Sequence, residues 1–210
     1  MKTYELIKID DFNWPSLPPV SIWDSIESLT DFDYPWREEQ PLLTEFKSFY
    51  TDSHVYFHYV VQDPEIEAKI ASWPDRPVVD SDRVEIFFRK DTQMRPYFCL
   101  EIDSRGRVLD YVADFHRQFD YDWQWPEGQL AVSGKVTDQG YKVTAGVSIA
   151  SLQQLGVWHP DRLEIGLFRA EYLFDKQGRH QDVKWISWIN PDSKHPDFHI
   201  PSAFGRFFWG

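Results

Sequence analysis

Arg83-Val84-Glu85-Ile86-Phe87-Phe88-Arg89 and, a short turn later, Tyr97-Phe98-Cys99-Leu100-Glu101-Ile102-Asp103 each repeat with a period of two. Val84, Ile86 and Phe88 alternate with Arg83, Glu85, Phe87 and Arg89. Phe98, Leu100 and Ile102 alternate with Tyr97, Cys99, Glu101 and Asp103. Successive side chains of a strand point to opposite faces, so this pattern predicts half-buried strands with one face on a core and one toward solvent. If the two strands are neighbours, one face carries Arg83, Glu85, Phe87, Tyr97, Cys99 and Glu101.

The same period extends outward. Residues 54–61 place Val55, Phe57, Tyr59 and Val61 on one face, and residues 141–149 do the same with Tyr141, Val143, Ala145, Val147 and Ile149. Further strands are predicted over 3–9, 43–50, 107–113, 129–136, 163–172 and 183–189, separated by turns such as Asp103-Ser104-Arg105-Gly106 and Asp175-Lys176-Gln177-Gly178. Helical signal is confined to 149–155, ended by Gly156, and to 22–29, with Ser21 as N-cap. Many short strands and few helices predict an all-β, antiparallel β-sandwich of jelly-roll or immunoglobulin-like type. No alternation of strands and helices supports a TIM barrel or Rossmann fold. Prolines cluster in 14–19, 73–77 and 190–201, which read as long ordered loops, and residues 1–210 read as one domain.

Composition narrows the partners. The 210 residues hold 22 Lys and Arg against 34 Asp and Glu, a formal charge of −12. Such a chain repels phosphate backbones and anionic membrane surfaces, so neither nucleic acid nor membrane is expected as a partner. No apolar run approaches the roughly 18 residues of a membrane-spanning helix. Residues 1–11 contain no apolar h-region or small-residue cleavage site, so the chain reads as cytoplasmic, or as exported with its leader removed. Cys99 is the single cysteine, which excludes an internal disulfide and a cysteine-based zinc site. Aromatic residues make up 17 %, among them 10 Trp and 16 Phe. A core absorbs most of these, and the remainder leaves room for a stacking surface.

Several groups of residues are candidates for chemistry. Arg83, Glu85 and Glu101 beside ring platforms suit sugar hydroxyls, because carboxylate and guanidinium groups bracket adjacent hydroxyls while a ring stacks on C–H faces. The same residues also read as a solvated sheet face with cross-strand ion pairs. Arg169 and Glu171 share the parity of Leu163, Ile165 and Leu167. They are either a site charge re-aimed by a bulge or an internal ion pair. Asp63, Asp80 and Asp82 could offer oxygens to calcium, or could be solvated loop residues. His195 and His199 are four apart, but Pro196 and Pro201 forbid a regular helix, so a zinc-protease reading fails and His199 reads as a polar group in a binding loop. There is no nucleophile elbow, phosphate loop or dinucleotide fingerprint. Cys99, mid-strand, reads as a small buried residue.

The order of segments carries a resemblance. Trp23-Asp24, Thr44-Glu45-Phe46-Lys47, Ser81-Asp82-Arg83-Val84-Glu85-Ile86-Phe87-Phe88, Gly166-Leu167-Phe168-Arg169-Ala170-Glu171 and Pro196-Asp197-Phe198-His199-Ile200-Pro201-Ser202-Ala203-Phe204-Gly205 follow one another. In this the chain resembles the carbohydrate-binding module family 9-like domains over nearly its whole length. That resemblance implies a β-sandwich that binds sugars at chain ends without catalysis, in the setting of bacterial polysaccharide degradation. It also implies two tryptophans around a terminal sugar, and structural calcium. Phe198 stands where one of those tryptophans is expected, and Trp73 is the nearest residue to the other. The family's arginine and asparagine of the next strand fall on Cys99 and Glu101.

The leading expectation is therefore a carbohydrate-binding domain. Its aromatic candidates are Trp73, Trp188 and Phe198. Its polar candidates are Arg83, Glu85, Glu101, Arg169, Glu171 and His199. Two rivals stand beside it: a glycoside hydrolase or lyase using Glu85, Glu101 or Glu171, and an interaction domain that forms a homodimer through aromatic surface.

Overall fold

The computed structural model describes residues 2–68 and 78–209. In chain order its strands are β1 (Thr3–Glu5), β2 (Ile7–Lys8), β3 (Thr44–Tyr50), β4 (His54–Gln62), β5 (Arg83–Arg89), β6 (Tyr97–Asp103), β7 (Val108–Asp114), β8 (Gln118–Asp120), β9 (Leu130–Thr137) and β10 (Gly140–Ser148). Helix α1 (Ile149–Gln154) follows, then β11 (Arg162–Phe174), β12 (His180–Ser187) and β13 (Gly205–Phe208). One sheet runs β1-β13-β11-β5-β6-β7-β8, with β12 also paired to β11. The other runs β2-β3-β4-β10-β9. The pairings are antiparallel except two short ones: β1 lies parallel to β13, and β2 parallel to β3. The chain steps from one sheet to the other at buried Leu6, whose N–H donates to the Phe208 carbonyl at 2.8 Å.

The parity read from the sequence decides which residues meet between the sheets. Val84, Ile86, Phe88, Leu100, Ile102, Leu163, Ile165 and Leu167 pack with Phe46, Phe57, Tyr59, Val61, Tyr141, Val143 and Ala145 in one apolar cluster. Both faces are thus joined by the non-directional burial of apolar surface that dominates folding. Gly205 lies against this cluster, and a Cβ there would sit 2.5 Å from the Trp188 ring. Helix α1 begins at Ser148, whose side chain accepts from the Ser151 N–H, and Gly156 at φ +70 follows its end.

Three features differ from the sequence expectation. First, β5 and β6 are buried at every position rather than solvated on one side. The outer face of that sheet carries Phe87, Tyr97, Cys99 and Phe168, and these form a second apolar cluster with Phe198, Ala203 and Phe204. An apolar patch of that size draws loops over it. Second, residues 22–29 form no α-helix. A 3-10 turn spans Val20–Ser25 with Pro19 as its N-cap, so Ser21 caps nothing. Third, β8 and β13 are three and four residues long, too short for a period-two signal to register.

Candidate functional site

The outer face of the larger sheet has a hollow. Cross-strand register sets Glu85 opposite Glu101 and Phe168, and Cys99 opposite Phe87 and Tyr111. Ala170, opposite both Arg83 and Trp185, leaves space above the floor. The result is a cavity of about 250 Å³. Arg83, Glu85 and Glu101 line it together with Tyr111, Phe119, Tyr121, Tyr172, Trp185, Phe198 and His199, with Arg117 and Asp197 among the other residues.

The charged floor is tightly bonded. Arg83 Nε lies 2.9 Å from Glu85 Oε1 and 2.8 Å from Glu101 Oε2, and its Nη1 donates to the Val79 carbonyl at 2.8 Å. The guanidinium carbon lies 5.5 Å from the Tyr172 ring centre and 5.7 Å from that of Trp185. The Tyr111 hydroxyl donates to Glu101 Oε1 at 2.8 Å. Burial works against the Arg83 charge, but Glu101 and Glu85 outweigh it and raise its pKa. Burial, then Glu101, pushes the Glu85 carboxyl up to about 8 against the pull of Arg83.

His199 forms part of the wall. Its Nδ1 is 3.0 Å from the Tyr97 hydroxyl, its backbone N–H donates to Asp197 Oδ1 at 2.9 Å, and its ring stacks on Phe87 at 5.1 Å. Burial, then the Arg117 charge, holds its pKa down to about 3, so the imidazole is neutral across the physiological range. A neutral imidazole offers one donor and one acceptor, which suits a hydroxyl group. Asp197 in turn accepts from His116 Nε2 at 2.7 Å and Arg117 Nη1 at 3.1 Å, which draws residues 116–117 to the loop bearing Phe198 and His199. Phe198 stacks face to face on Phe168 at 4.1 Å and meets the Trp185 ring at 5.7 Å and 84°.

Of the sequence candidates, Arg83, Glu85, Glu101, Phe198 and His199 line this one cavity. Trp73 lies outside the described residues. Three others lie elsewhere. Arg169 and Glu171 keep the inward parity of Leu167 with no bulge to re-aim them before Leu173. Arg169 Nη2 is 3.0 Å from Asp63 Oδ2 and 3.2 Å from Glu171 Oε2, and Lys184 Nζ is 2.9 Å from Glu171 Oε1. This is the internal ion pair, in the interior between the sheets. Trp188 is buried in the main core with Phe207.

The acidic residues read as calcium ligands do not form a cage. Asp63 is taken by Arg169, and both Asp82 oxygens accept backbone N–H groups, from Tyr172 and Glu67, at 2.6 Å. Among the described residues no three His, Cys, Asp or Glu side chains gather to hold a metal. Calcium takes six to eight oxygens, and Asp63 and Asp82 have theirs committed to Arg169 and to backbone N–H groups.

Sequence reasoning missed Tyr111, Tyr172, Trp185, Asp197 and the 117–121 residues of the cavity. Tyr111 and Tyr172 share a face with residues already singled out, and extending the parity into β7 and along β11 would have found them. Arg117, Phe119 and Tyr121 sit in and beside a three-residue strand with no periodic signal to read.

Residues 20–208 match the family described as carbohydrate family 9 binding domain-like. The chain belongs to that family, and the function that goes with membership is non-catalytic carbohydrate binding. Solved structures share the fold. A candidate carbohydrate-binding protein from Bacteroides uniformis ATCC 8492 superposes with a TM-score of 0.74 at 20 % identity, covering 100 % of this chain and 99 % of that one. A carbohydrate binding module family 9 from Caldicellulosiruptor kristjanssonii in complex with glucose gives 0.63 at 16 % identity, covering 100 % and 96 %. The same kind of module from that organism in complex with cellotriose gives 0.61 at 17 % identity, covering 98 % and 93 %. No curated protein matches the chain at a significant level.

Proposed function

We propose that residues 1–210 act as one domain, and that the cavity on the outer face of β5, β6 and β7 holds the terminal residue of a glycan. The observation that carries this is the arrangement of its lining. Tyr172, Trp185, Phe198 and His199 surround a floor whose hydrogen-bonding groups are the guanidinium of Arg83 and the carboxyl groups of Glu85 and Glu101. Rings supply faces for C–H groups, and the fixed polar atoms set which hydroxyls fit. At about 250 Å³ the cavity falls below the roughly 300–1,000 Å³ of pockets for drug-sized ligands, which matches a single sugar ring.

The same floor argues against hydrolysis. Glycosidases place two carboxyl groups on either side of the scissile bond. Here both carboxyl groups reach the same Arg83 Nε, so they bracket a cation and not a sugar. The neighbours holding glucose and cellotriose make a gluco-configured chain end the first ligand to try. Attachment to polysaccharide breakdown is part of the same proposal.

Isothermal titration with glucose, xylose, galactose, cellobiose and cellotriose tests this reading. Saturable, one-to-one binding of at least one sugar, weakened about tenfold in Trp185→Ala, is the expected result. Binding that is unchanged in Trp185→Ala and in Tyr121→Ala would place the ligand elsewhere on the molecule.

A further inference from the structure

Trp185 and Pro196 have a second side. Besides the cavity, they line an adjoining groove of about 680 Å³. Its other walls include Trp36, Arg37, Asp182, Lys194 and the imidazoles of His180 and His195. Trp36 is fixed there: its Nε1 donates to the Ser193 carbonyl at 2.8 Å, and its ring lies 5.7 Å from Phe198. The groove thus continues the aromatic lining of the cavity past the Trp185 partition.

Its charge differs from that of the cavity. The cavity sets Glu85, Glu101 and Asp197 against Arg83 and Arg117. The groove sets Arg37, Lys194 and two imidazoles against Asp182 alone. Arg37 bonds Asp182 and lies 3.5 Å from the exposed Glu39, while Lys194 has no ion-pair partner among the described residues. On a chain of net charge −12, a groove lined mainly by cationic and N–H-donating groups runs against the overall field.

We infer that the groove holds the second residue of the glycan and selects one that carries an anionic group, a carboxylate or a sulfate. The inference rests on the sugar-end reading of the cavity. The order of residues follows from the charges: the cations of the cavity are already paired, Arg83 with Glu85 and Glu101 and Arg117 with Asp197, so the terminal sugar is neutral and the acidic one lies beyond Trp185, beside Lys194, unpaired among the described residues. Two indoles, Trp36 and Trp185, give its ring a surface to lie against, as they would for any sugar. Lys194 and the imidazoles supply what a neutral sugar does not need.

The test is titration of the full chain at pH 7 with neutral and acidic members of matched sets: cellobiose with cellobiose 6-sulfate and with glucosyl-glucuronate, and xylobiose with its methylglucuronate-bearing form. At least one acidic ligand is expected to bind tenfold or more tightly than its neutral counterpart. That margin should shrink between 50 and 500 mM salt and should close in Lys194→Gln/His195→Gln. Both residues are exposed, so an unchanged melting temperature confirms the variant's fold. The sulfate and uronate arms show which anion is meant. Neutral sugars that bind while every acidic partner binds no better would overturn the anionic reading alone, as would a margin that survives the double variant. Absence of binding by every ligand, neutral ones included, would remove the sugar-end reading and this inference with it.

Discussion

Glu85 and Glu101 face each other across the β5–β6 pairing and share one nitrogen, Arg83 Nε, at 2.9 and 2.8 Å. Two carboxyl groups for one guanidinium leave a surplus of negative charge where all three side chains are buried. The molecule relieves it by holding a proton: burial, then the facing Glu101, pushes the Glu85 carboxyl far above an ordinary glutamate. The trio therefore presents donors as well as acceptors at neutral pH, which is the mix a ring of sugar hydroxyls requires.

This proton has a signature in stability. Burial lifts Glu85 to about 8 and Asp82 to about 7, so the folded chain keeps protons that the unfolded chain has released. Stability from these groups is fully present at low pH and falls as pH rises from the normal carboxylate range to about 8. Burial also holds His199 at about 3 and His58 at about 4. The unfolded chain protonates these histidines first, so their contribution is lost as pH falls from about 6.5. The melting temperature is expected to peak near pH 6 and to decline by pH 8, with Glu85→Gln flattening the alkaline limb. A melting temperature that climbs steadily to pH 8, followed by differential scanning fluorimetry, would contradict the assignment.

Removing the shared cation should be costly. Arg83→Gln leaves two buried carboxyl groups facing each other, a loss of about 3–5 kcal/mol by analogy with other broken buried pairs. In a chain of 210 residues that lowers the melting temperature by at least about 6 °C. Arg83→Lys keeps the charge but loses the planar fork, so it should fall between the two and still lose sugar affinity. Urea titration separates the three proteins. Equal stability of wild type and Arg83→Gln would show that the trio is not bonded in this way.

The core candidates give the converse result. Trp188→Ala opens a large hole beside Phe207 and should cost about 3–5 kcal/mol. Arg169→Met leaves buried Asp63 without its cation, while Glu171 keeps Lys184, and should cost a similar amount. Measured below its melting temperature, each variant should keep wild-type sugar affinity within about threefold, because neither residue lines the cavity.

Tyr121 separates binding from folding most cleanly. It is 38 % exposed and lies 5.0 Å from Tyr111. Tyr121→Ala should weaken sugar binding about three- to tenfold, as expected for one lost ring contact of about 0.5–1.5 kcal/mol. Its melting temperature should stay within about 2 °C of the parent. Unchanged affinity would take Tyr121 out of the ligand's path.

The legible part of this molecule was what repeats. Alternation in β4, β5, β6 and β10 fixed which side chains meet between the sheets, and through Arg83, Glu85 and Glu101 it also pointed at the floor of the cavity. Parity left Arg169 and Glu171 open between an internal pair and a site charge re-aimed by a bulge, and put them among the sugar candidates; the unbroken register of β11 turns them inward, where they pair. What alternation cannot report is a second layer of cover. That β5 and β6 are buried on both faces depends on Phe198 and Phe204 folding back over Phe87 and Phe168 from a stretch with no period. Trp188 shows the other limit: an indole three residues from Trp185 can serve either a core or a rim, and the bulk of Trp188 is taken up by the space over Gly205. Loop residues such as Arg117 and Asp197 became visible only through the bonds that tie them together.

The crossing at Leu6 has a consequence for solubility. β1 is a border strand of one sheet and β2 of the other, opposite the β8 and β9 borders, so one short stretch covers one border of each sheet. Each carries a lysine at or beside it, Lys2 paired with Asp31 and Lys8 with Asp52, the kind of charge that discourages another strand from docking. Peeling residues 2–9 away would bare β13 and β3 together, two strands rich in phenylalanine with unpaired backbone groups. A proteolytic clip in this stretch is therefore expected to raise self-association, read as an increase in particle size by light scattering.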